Sequence, residues 1–152
     1  MKALGQRYVQ HANRAMLRFS SGFPFGQPLG RRLLSKDMMI RILSLLAALG
    51  MVAALFAGGA QPAAVGLFAA PWDKLAHAGF FLALTILLLQ AWPRPWWLAP
   101  LLAVLVGMGD EWHQFYLPGR MAGWIDLVAD AVGVALAAGL HEAAKTADRS
   151  AQ

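Results

Sequence analysis

The sequence contains no cysteine, which excludes disulfide bonds, thiolate metal ligands and a cysteine nucleophile. Charged residues are also scarce: they make up 14% of the 152 residues, whereas hydrophobic residues make up 59%. An ordinary soluble domain has about 25% charged residues, so this chain lacks the polar surface that a small water-soluble monomer needs. The same composition excludes a disordered chain. It favours a membrane protein built from several hydrophobic helices.

Four apolar stretches are close to the length that a helix needs to cross a bilayer, about 17–25 residues. Tryptophans stand near their ends, as is typical of side chains at a membrane interface. A buried all-α soluble bundle is the alternative, but too few polar residues are present to cover its helices. The predicted fold class is all-α: a polytopic membrane protein with about four transmembrane helices in a small bundle. The predicted spans run approximately over residues 42–56, 75–91, 96–109 and 124–140.

The basic residues predict the orientation of these spans. Eleven of the thirteen Lys and Arg residues precede the first span, lie in the turn at Arg94 or follow the last span. With four spans, all eleven lie on one side, and the positive-inside rule places that side in the cytoplasm. We therefore expect a multi-pass protein of the cell inner (cytoplasmic) membrane with both termini cytoplasmic. The net charge of +5 then reflects topology, and nucleic-acid binding is not expected.

Three segments are predicted along the chain: a basic cytoplasmic leader over residues 1–38, a four-helix transmembrane domain over residues 39–141 and a cytoplasmic tail over residues 142–152. In the leader, apolar residues recur at helical spacing between basic ones, which favours an amphipathic helix on the anionic inner leaflet. A disordered leader fits the sequence as well. So does a true start at Met38 or Met39.

Ionisable residues at a membrane boundary are informative because their burial is costly unless a partner is present. Three separate segments bring such residues to the outer side of the predicted bundle. Residues four or three apart share a helix face, as do Asp73 with His77 and Glu111 with Gln114. We predict a binding site there, with a purely structural salt-bridge cluster as the alternative. The candidate binding residues are Asp73, Lys74, His77, Glu111, Gln114, Arg120 and Asp126.

The order of these residues resembles the pattern of the VanZ-like membrane proteins, a family named for a teicoplanin-resistance protein. That pattern begins with Asp-Lys-x-x-His, here Asp73 to His77. It continues with Glu-x-x-Gln, here Glu111 to Gln114, and with Pro-Gly-Arg, here Pro118 to Arg120. An aspartate follows six residues after the arginine, at Asp126. The resemblance covers roughly residues 40–140.

Two positions depart from the family pattern. In the last helix the family has Asn or Asp followed by Gly, here Asp130 and Gly133, and the first position is often Asn. Asp130 thus adds a carboxylate inside the bilayer, which we expect to need Lys74, Arg120 or a proton as its partner. Phe81 stands where the family often has Tyr, which removes a hydroxyl donor.

The resemblance implies a small multi-pass inner-membrane protein of the cell envelope, linked to glycopeptide-antibiotic resistance. From the residues themselves, we expect Arg120 and Lys74 to hold the phosphate or carboxylate of an anionic, lipid-linked envelope ligand. Glu111 and His77 are the candidates for acid–base catalysis, and the sequence leaves open whether catalysis accompanies binding. The alternative is a non-catalytic membrane scaffold or accessory subunit with a membrane protein partner.

Asp73 and Asp126 are expected to orient the two cations, Lys74 and Arg120.

No metal and no other cofactor is predicted. Histidine and carboxylate side chains are suitable ligands for zinc or manganese, and the candidates of these types are His77, Glu111, His113 and Asp126. However, Glu111 and His113 point to different sides of a helix, and the two cations would repel a divalent ion.

Overall fold

A computed structural model of the chain describes residues 35–120 and 122–151. Nearly all of the predicted leader, with its amphipathic or disordered alternatives, lies outside the described residues. The described part contains four long α-helices, one short 3₁₀-helix and no strand. This confirms the all-α fold class that the apolar stretches predict.

The helices extend beyond the predicted spans at several ends. Helix α1 covers Lys36–Gly59, and a 3₁₀-helix at Pro62–Ala64 follows it. Helix α2 covers Trp72–Ala91, α3 covers Leu98–Phe115 and α4 covers Trp124–Ser150. Helix α3 therefore keeps the polar residues at its end helical, although its span was expected to end before them. Helix α4 continues into the predicted tail.

Helices α1, α2 and α4 are long and apolar enough to cross a membrane. Helix α3 has 18 residues, which at about 1.5 Å per residue gives a length of roughly 27 Å. Its outer face exposes Leu101, Leu105 and Met108, and the other three helices expose similar apolar faces. Lipid chains would cover these faces in a bilayer, which agrees with a bundle of about four transmembrane helices.

Helices α2 and α4 approach each other closely at Gly133. A Cβ atom added at Gly133 would overlap the carbonyl oxygen of Ala78 on α2 and would lie 2.9 Å from the backbone nitrogen of Leu82. Only a residue without a side chain fits this position. The small residue at this position thus lets α2 come close to α4. The buried apolar core beside this contact includes Phe81, Leu84, Leu88, Ala103 and Val134.

The two ends of the bundle differ in chemistry. At one end, the Ser44 hydroxyl near the start of α1 donates a hydrogen bond to Oε1 of Gln90 near the end of α2, at 2.9 Å. At the same end, Nζ of Lys145 lies over the Trp96 ring, 5.4 Å from its centroid. The opposite end consists of the end of α1, the start of α2, the end of α3 and the start of α4. This polar end carries the residues that the sequence singles out.

Candidate functional site

A cavity of about 700 Å³ opens at the polar end of the bundle. Part of its wall is apolar and comes from α1 and the loop that follows it, including Leu55, Leu67 and Phe68. Five of the seven predicted binding residues line the cavity. Of the other two, Lys74 is bonded to Asp73 and Asp126, and Glu111 lies beside His77. The ionisable and amide side chains in the wall are Asp73, His77, Asp110, Gln114, Arg120 and Asp126.

Lys74 is shared by two carboxylates from different helices. Its Nζ lies 2.9 Å from Oδ2 of Asp73 and also forms an ion pair with Oδ1 of Asp126 on α4. The backbone N–H of Lys74 donates to Oδ1 of Asp73 as well, at 2.9 Å. The two carboxylates therefore orient Lys74, as the sequence predicts. Because they also neutralise its charge, Lys74 attracts a further anion only weakly.

Asp130 is bonded to a histidine one helical turn deeper in the bundle. Its side chain is 2% exposed, and its Oδ1 lies 2.8 Å from Nδ1 of His77 on α2. The sequence predicted Lys74, Arg120 or a proton as the partner of Asp130, and this prediction did not include His77. Helices α2 and α4 both begin at the polar end and run parallel, so residues one turn further along each helix meet again: Lys74 with Asp126, then His77 with Asp130.

Asp110 belongs to the site although the sequence-based selection missed it. It is 1% exposed, and its Oδ2 accepts a hydrogen bond from Nε2 of Gln114 at 2.8 Å. The sequence placed Gln114 with Glu111, but residues four apart also lie on one helix face, and Gln114 bonds to Asp110 instead. Glu111 accepts a hydrogen bond through Oε2 from the backbone N–H of Gly123, at 2.7 Å. The spacing of Asp110 and Gln114 is the signal that could have identified Asp110.

Arg120 lies against the end of α1. Its Nε and Nη2 donate to the carbonyl oxygen of Gly59, at 3.3 and 3.0 Å. The last carbonyl groups of a helix lack intrahelical donors and carry partial negative charge, so they suit a guanidinium group. The expectation that Asp73 and Asp126 orient Arg120 does not hold, because no ion pair within the described part of the chain includes Arg120.

The turn before Arg120 depends on the preceding two residues. The backbone N–H of Arg120 donates to the carbonyl oxygen of Leu117 at 3.2 Å, which closes a four-residue turn. Gly119 has a φ of +79°, and Pro118 stands before it. Proline followed by a glycine with positive φ is the pattern of a type II turn. A side chain at Gly119 would strain this turn, so the glycine helps to set where Arg120 points.

His77, Asp110 and Glu111 form a compact group of side chains that can ligate a metal. One nitrogen or oxygen atom from each residue lies within 4.8 Å of those of the other two. Two residues considered from the sequence for such a group lie elsewhere. The ring of His113 contacts that of Phe56, with a centroid distance of 5.3 Å, and Asp126 is paired with Lys74.

Comparison with known families identifies this arrangement of motifs. The family model described as VanZ/LLP1 matches residues 19–145. The chain belongs to the VanZ/LLP1 family. The match confirms the resemblance seen in the motifs and extends beyond the range they cover. Comparison with curated proteins and with solved structures gave no match.

The two departures of this VanZ/LLP1 chain from the family pattern lie beside the same glycine. A Cβ atom at Gly107 on α3 would lie 2.9 Å from Oδ2 of Asp130 and 3.4 Å from Cε1 and Cζ of Phe81. Phe81 is fully buried, and Oδ2 of Asp130 has no hydrogen-bond partner among the residues that the structure describes. The missing hydroxyl and the added carboxylate are therefore neighbours in the core.

Proposed function

We propose that this VanZ/LLP1 protein binds the anionic group of a lipid-linked cell-envelope molecule in the cavity at the polar end. Arg120 carries the proposal. A guanidinium group has five N–H donors, and among the described residues Arg120 uses two of its nitrogen atoms, both on the carbonyl oxygen of Gly59. The remaining N–H groups can hold a phosphate or carboxylate in a bidentate manner.

The surroundings of Arg120 suit an amphiphilic ligand. The cavity that contains its side chain also has an apolar wall from α1 and the following loop. In that loop, Val65, Leu67 and Phe68 are between 42% and 66% exposed, which is typical of a segment that contacts lipid at the membrane interface. A charged headgroup near Arg120 and a hydrocarbon chain along these residues would use both features.

The orientation supports an extracytoplasmic site. Among the described residues, Lys36, Arg41, Arg94, Lys145 and Arg149 lie at or beyond the end of the bundle opposite to the cavity. By the positive-inside rule, that end faces the cytoplasm, and both termini lie there. Reporter fusions test this: a fusion after Gly119 should report the outer side of the inner membrane, and a fusion at the C-terminus should report the cytoplasm. The reverse result would contradict the proposal.

Binding is tested on the purified protein by native mass spectrometry, with a polyprenyl phosphate, the uncharged polyprenol and inorganic phosphate as separate probes. Arg120→Ala should weaken polyprenyl phosphate binding about 10- to 100-fold, because a charge-assisted hydrogen bond contributes about 1.5–3 kcal/mol. Arg120→Lys should fall in between, since lysine keeps the charge but lacks the planar fork. Arg94→Ala, at the opposite end, is the matched control and should bind normally.

Two results would show that Arg120 does not recognise an anionic lipid in this cavity. One is equal affinity of the wild type for the polyprenyl phosphate and the polyprenol, since the site would then not recognise the anion. The other is wild-type affinity in Arg120→Ala. Preferential binding of inorganic phosphate would indicate a soluble anion as the ligand and would exclude the lipid-linked source.

A role in envelope or glycopeptide-antibiotic resistance is the cellular part of the proposal, and family membership supports it. Cells that produce the chain should lose any decrease in glycopeptide susceptibility when Arg120 is replaced by alanine, with unchanged membrane levels of the protein. Glu111→Ala should have the same effect if Glu111 acts in acid–base catalysis together with His77. Unchanged resistance in both variants would contradict this role.

A scaffold or accessory subunit is the second candidate function, and the ion pairs between α2 and α4 favour it. Lys74 with Asp126 and His77 with Asp130 join the two helices without any ligand. On this hypothesis, Lys74→Met lowers the thermal stability of the purified protein, and no probe binds to the wild type. Specific binding of the polyprenyl phosphate would exclude a purely structural cluster.

A further inference from the structure

We infer that His77, Asp110 and Glu111 form a divalent metal site at the inner edge of the cavity. These side chains come from α2 and α3, and one donor atom of each lies within 4.8 Å of the other two. This separation leaves room for one ion that all three could contact after small side-chain movements. His77 and Asp110 also line the cavity, so an ion there would be accessible from it.

The hydrogen bond of His77 involves its Nδ1 and leaves Nε2 available to bind a metal. Its Nδ1 lies 2.8 Å from Oδ1 of Asp130, and the Asp130 side chain is almost completely buried. When Nδ1–H donates to this carboxylate, the lone pair of the imidazole is on Nε2, which is then the metal ligand. A carboxylate that holds a ligating histidine in this way is a recurrent feature of metal sites, where it fixes the tautomer and the ring orientation.

The two carboxylates are held in the same manner, each through one of its oxygens. Oδ2 of Asp110 accepts from Nε2 of Gln114, and Oε2 of Glu111 accepts from the backbone N–H of Gly123. The second oxygen of each carboxylate is left for an ion. For Glu111 that oxygen, Oε1, is buried and has no hydrogen-bond partner among the described residues. Such an atom is costly to bury unless a ligand satisfies it.

The distribution of charge around His77 also favours the binding of a cation. Asp110, Glu111 and Asp130 are three carboxylates around one histidine, and within the described residues none of them forms an ion pair with Lys or Arg. The two basic side chains at this end are used elsewhere: Lys74 by Asp73 and Asp126, and Arg120 by a helix carbonyl. The repulsion expected from the two cations is therefore smaller, because Asp73 and Asp126 neutralise the charge of Lys74, and the three carboxylates outnumber Arg120, the other cation at this end of the described structure.

The donor set indicates the class of metal. One imidazole nitrogen and two carboxylate oxygens suit Zn²⁺ or Mn²⁺, and three protein ligands leave a coordination position for water or an external ligand. This inference goes beyond the proposed function, because the ion can bind without an anionic lipid. It differs from the metal set considered from the sequence by including Asp110 and by excluding His113 and Asp126.

The experiment uses the full chain, purified in detergent and stripped with a chelator. The protein is equilibrated with Zn²⁺ or Mn²⁺, freed of unbound metal and analysed for metal content by mass spectrometry. We expect about one ion per chain and a higher thermal unfolding midpoint when the metal is added, because an ion that binds the folded state stabilises it. No probe lipid is present in this assay.

Substitutions distinguish the three proposed metal ligands from the residues beside them. His77→Gln, Asp110→Asn and Glu111→Gln should each weaken metal binding by more than about 100-fold, whereas Asp130→Asn should weaken it by about 10- to 100-fold through the orientation of His77. Asp110→Asn keeps an oxygen that can accept from Gln114, so the local fold is preserved. His113→Gln is the matched control and should bind metal as the wild type does.

Two outcomes would overturn the metal site. A folded wild-type protein that retains neither Zn²⁺ nor Mn²⁺ would do so, and this measurement needs no variant. Equal loss of metal in His113→Gln and Glu111→Gln would also do so, since binding would then not be specific to the three ligands. Arg120→Ala should retain the metal while binding the polyprenyl phosphate about 10- to 100-fold more weakly, so failure of one proposal is distinguishable from failure of the other.

Discussion

Replacement of Gly133 by alanine tests the packing on which the whole polar end depends. The new Cβ atom would overlap the carbonyl oxygen of Ala78 and would lie 2.9 Å from the nitrogen of Leu82. Both contacts are with backbone atoms, so no side-chain rotation can relieve them. Helix α4 must therefore move away from α2. The ion pair of Lys74 with Asp126 and the bond of His77 to Asp130 should then lengthen.

Gly139→Ala provides the matched control on the same helix. A Cβ atom at Gly139 meets no atom of the described residues within 4 Å, so this variant should only gain helix propensity, by about 1 kcal/mol. Gly133→Ala has the same gain but pays for overpacking, which costs about 1–3 kcal/mol and lies at the upper end when the clash is with backbone. We expect Gly133→Ala to be about 3 kcal/mol less stable than Gly139→Ala.

The assay is thermal unfolding of both purified variants in detergent. For a chain of this size, about 3 kcal/mol corresponds to a difference of roughly 6–12 °C in the unfolding midpoint. Metal retention and polyprenyl phosphate binding, measured on the folded fraction, should fall in Gly133→Ala and stay normal in Gly139→Ala. Equal midpoints and equal binding in the two variants would refute the close approach of α2 and α4.

Three further predictions concern the same end of the bundle. Lys74→Met should lower the free energy of unfolding by about 1–3 kcal/mol, less than for a fully buried pair because the Lys74 side chain is 32% exposed; an unchanged midpoint in thermal unfolding would contradict this. Gly119→Ala should strain the turn by about 1–2 kcal/mol and weaken polyprenyl phosphate binding in native mass spectrometry, whereas metal content should not change. Gly107→Ala should have a lower unfolding midpoint than Gly50→Ala, because its Cβ would lie 2.9 Å from Oδ2 of the buried Asp130 side chain, whereas a Cβ at Gly50 meets no described atom within 4 Å.

The helices could be predicted from the sequence because long apolar runs in a chain with few charges have few other structures available. The start of the last helix at Trp124 and the end of the second at Ala91 were predicted correctly. The predicted third span ends at residue 109, whereas helix α3 continues to Phe115 with the polar residues in its last turns. Asp110 and Gln114 remain helical since they bond to each other along the helix.

The sequence also predicted that separated polar residues meet at one end of the bundle, because successive spans cross the membrane in opposite directions, so that the end of one span and the start of the next lie on the same side. It did not predict the partners. Asp130 was assigned to a lysine, an arginine or a proton, and Arg120 to carboxylates, whereas the structure bonds Asp130 to His77 and Arg120 to the carbonyl of Gly59. These assignments need the register of α2 against α4.

By itself, the sequence determined that the chain has the helices of a membrane protein, which family motifs it carries and which ionisable residues are costly to bury in a bilayer. Tertiary structure alone decided which of these residues neutralise one another and which keep unused donor or acceptor atoms. The physical reason is that hydropathy is a property of each segment, whereas pairing depends on distances of a few ångströms between helices. The close contact at Gly133 fixes the register of α2 against α4, and this register determines the partners of Lys74 and His77.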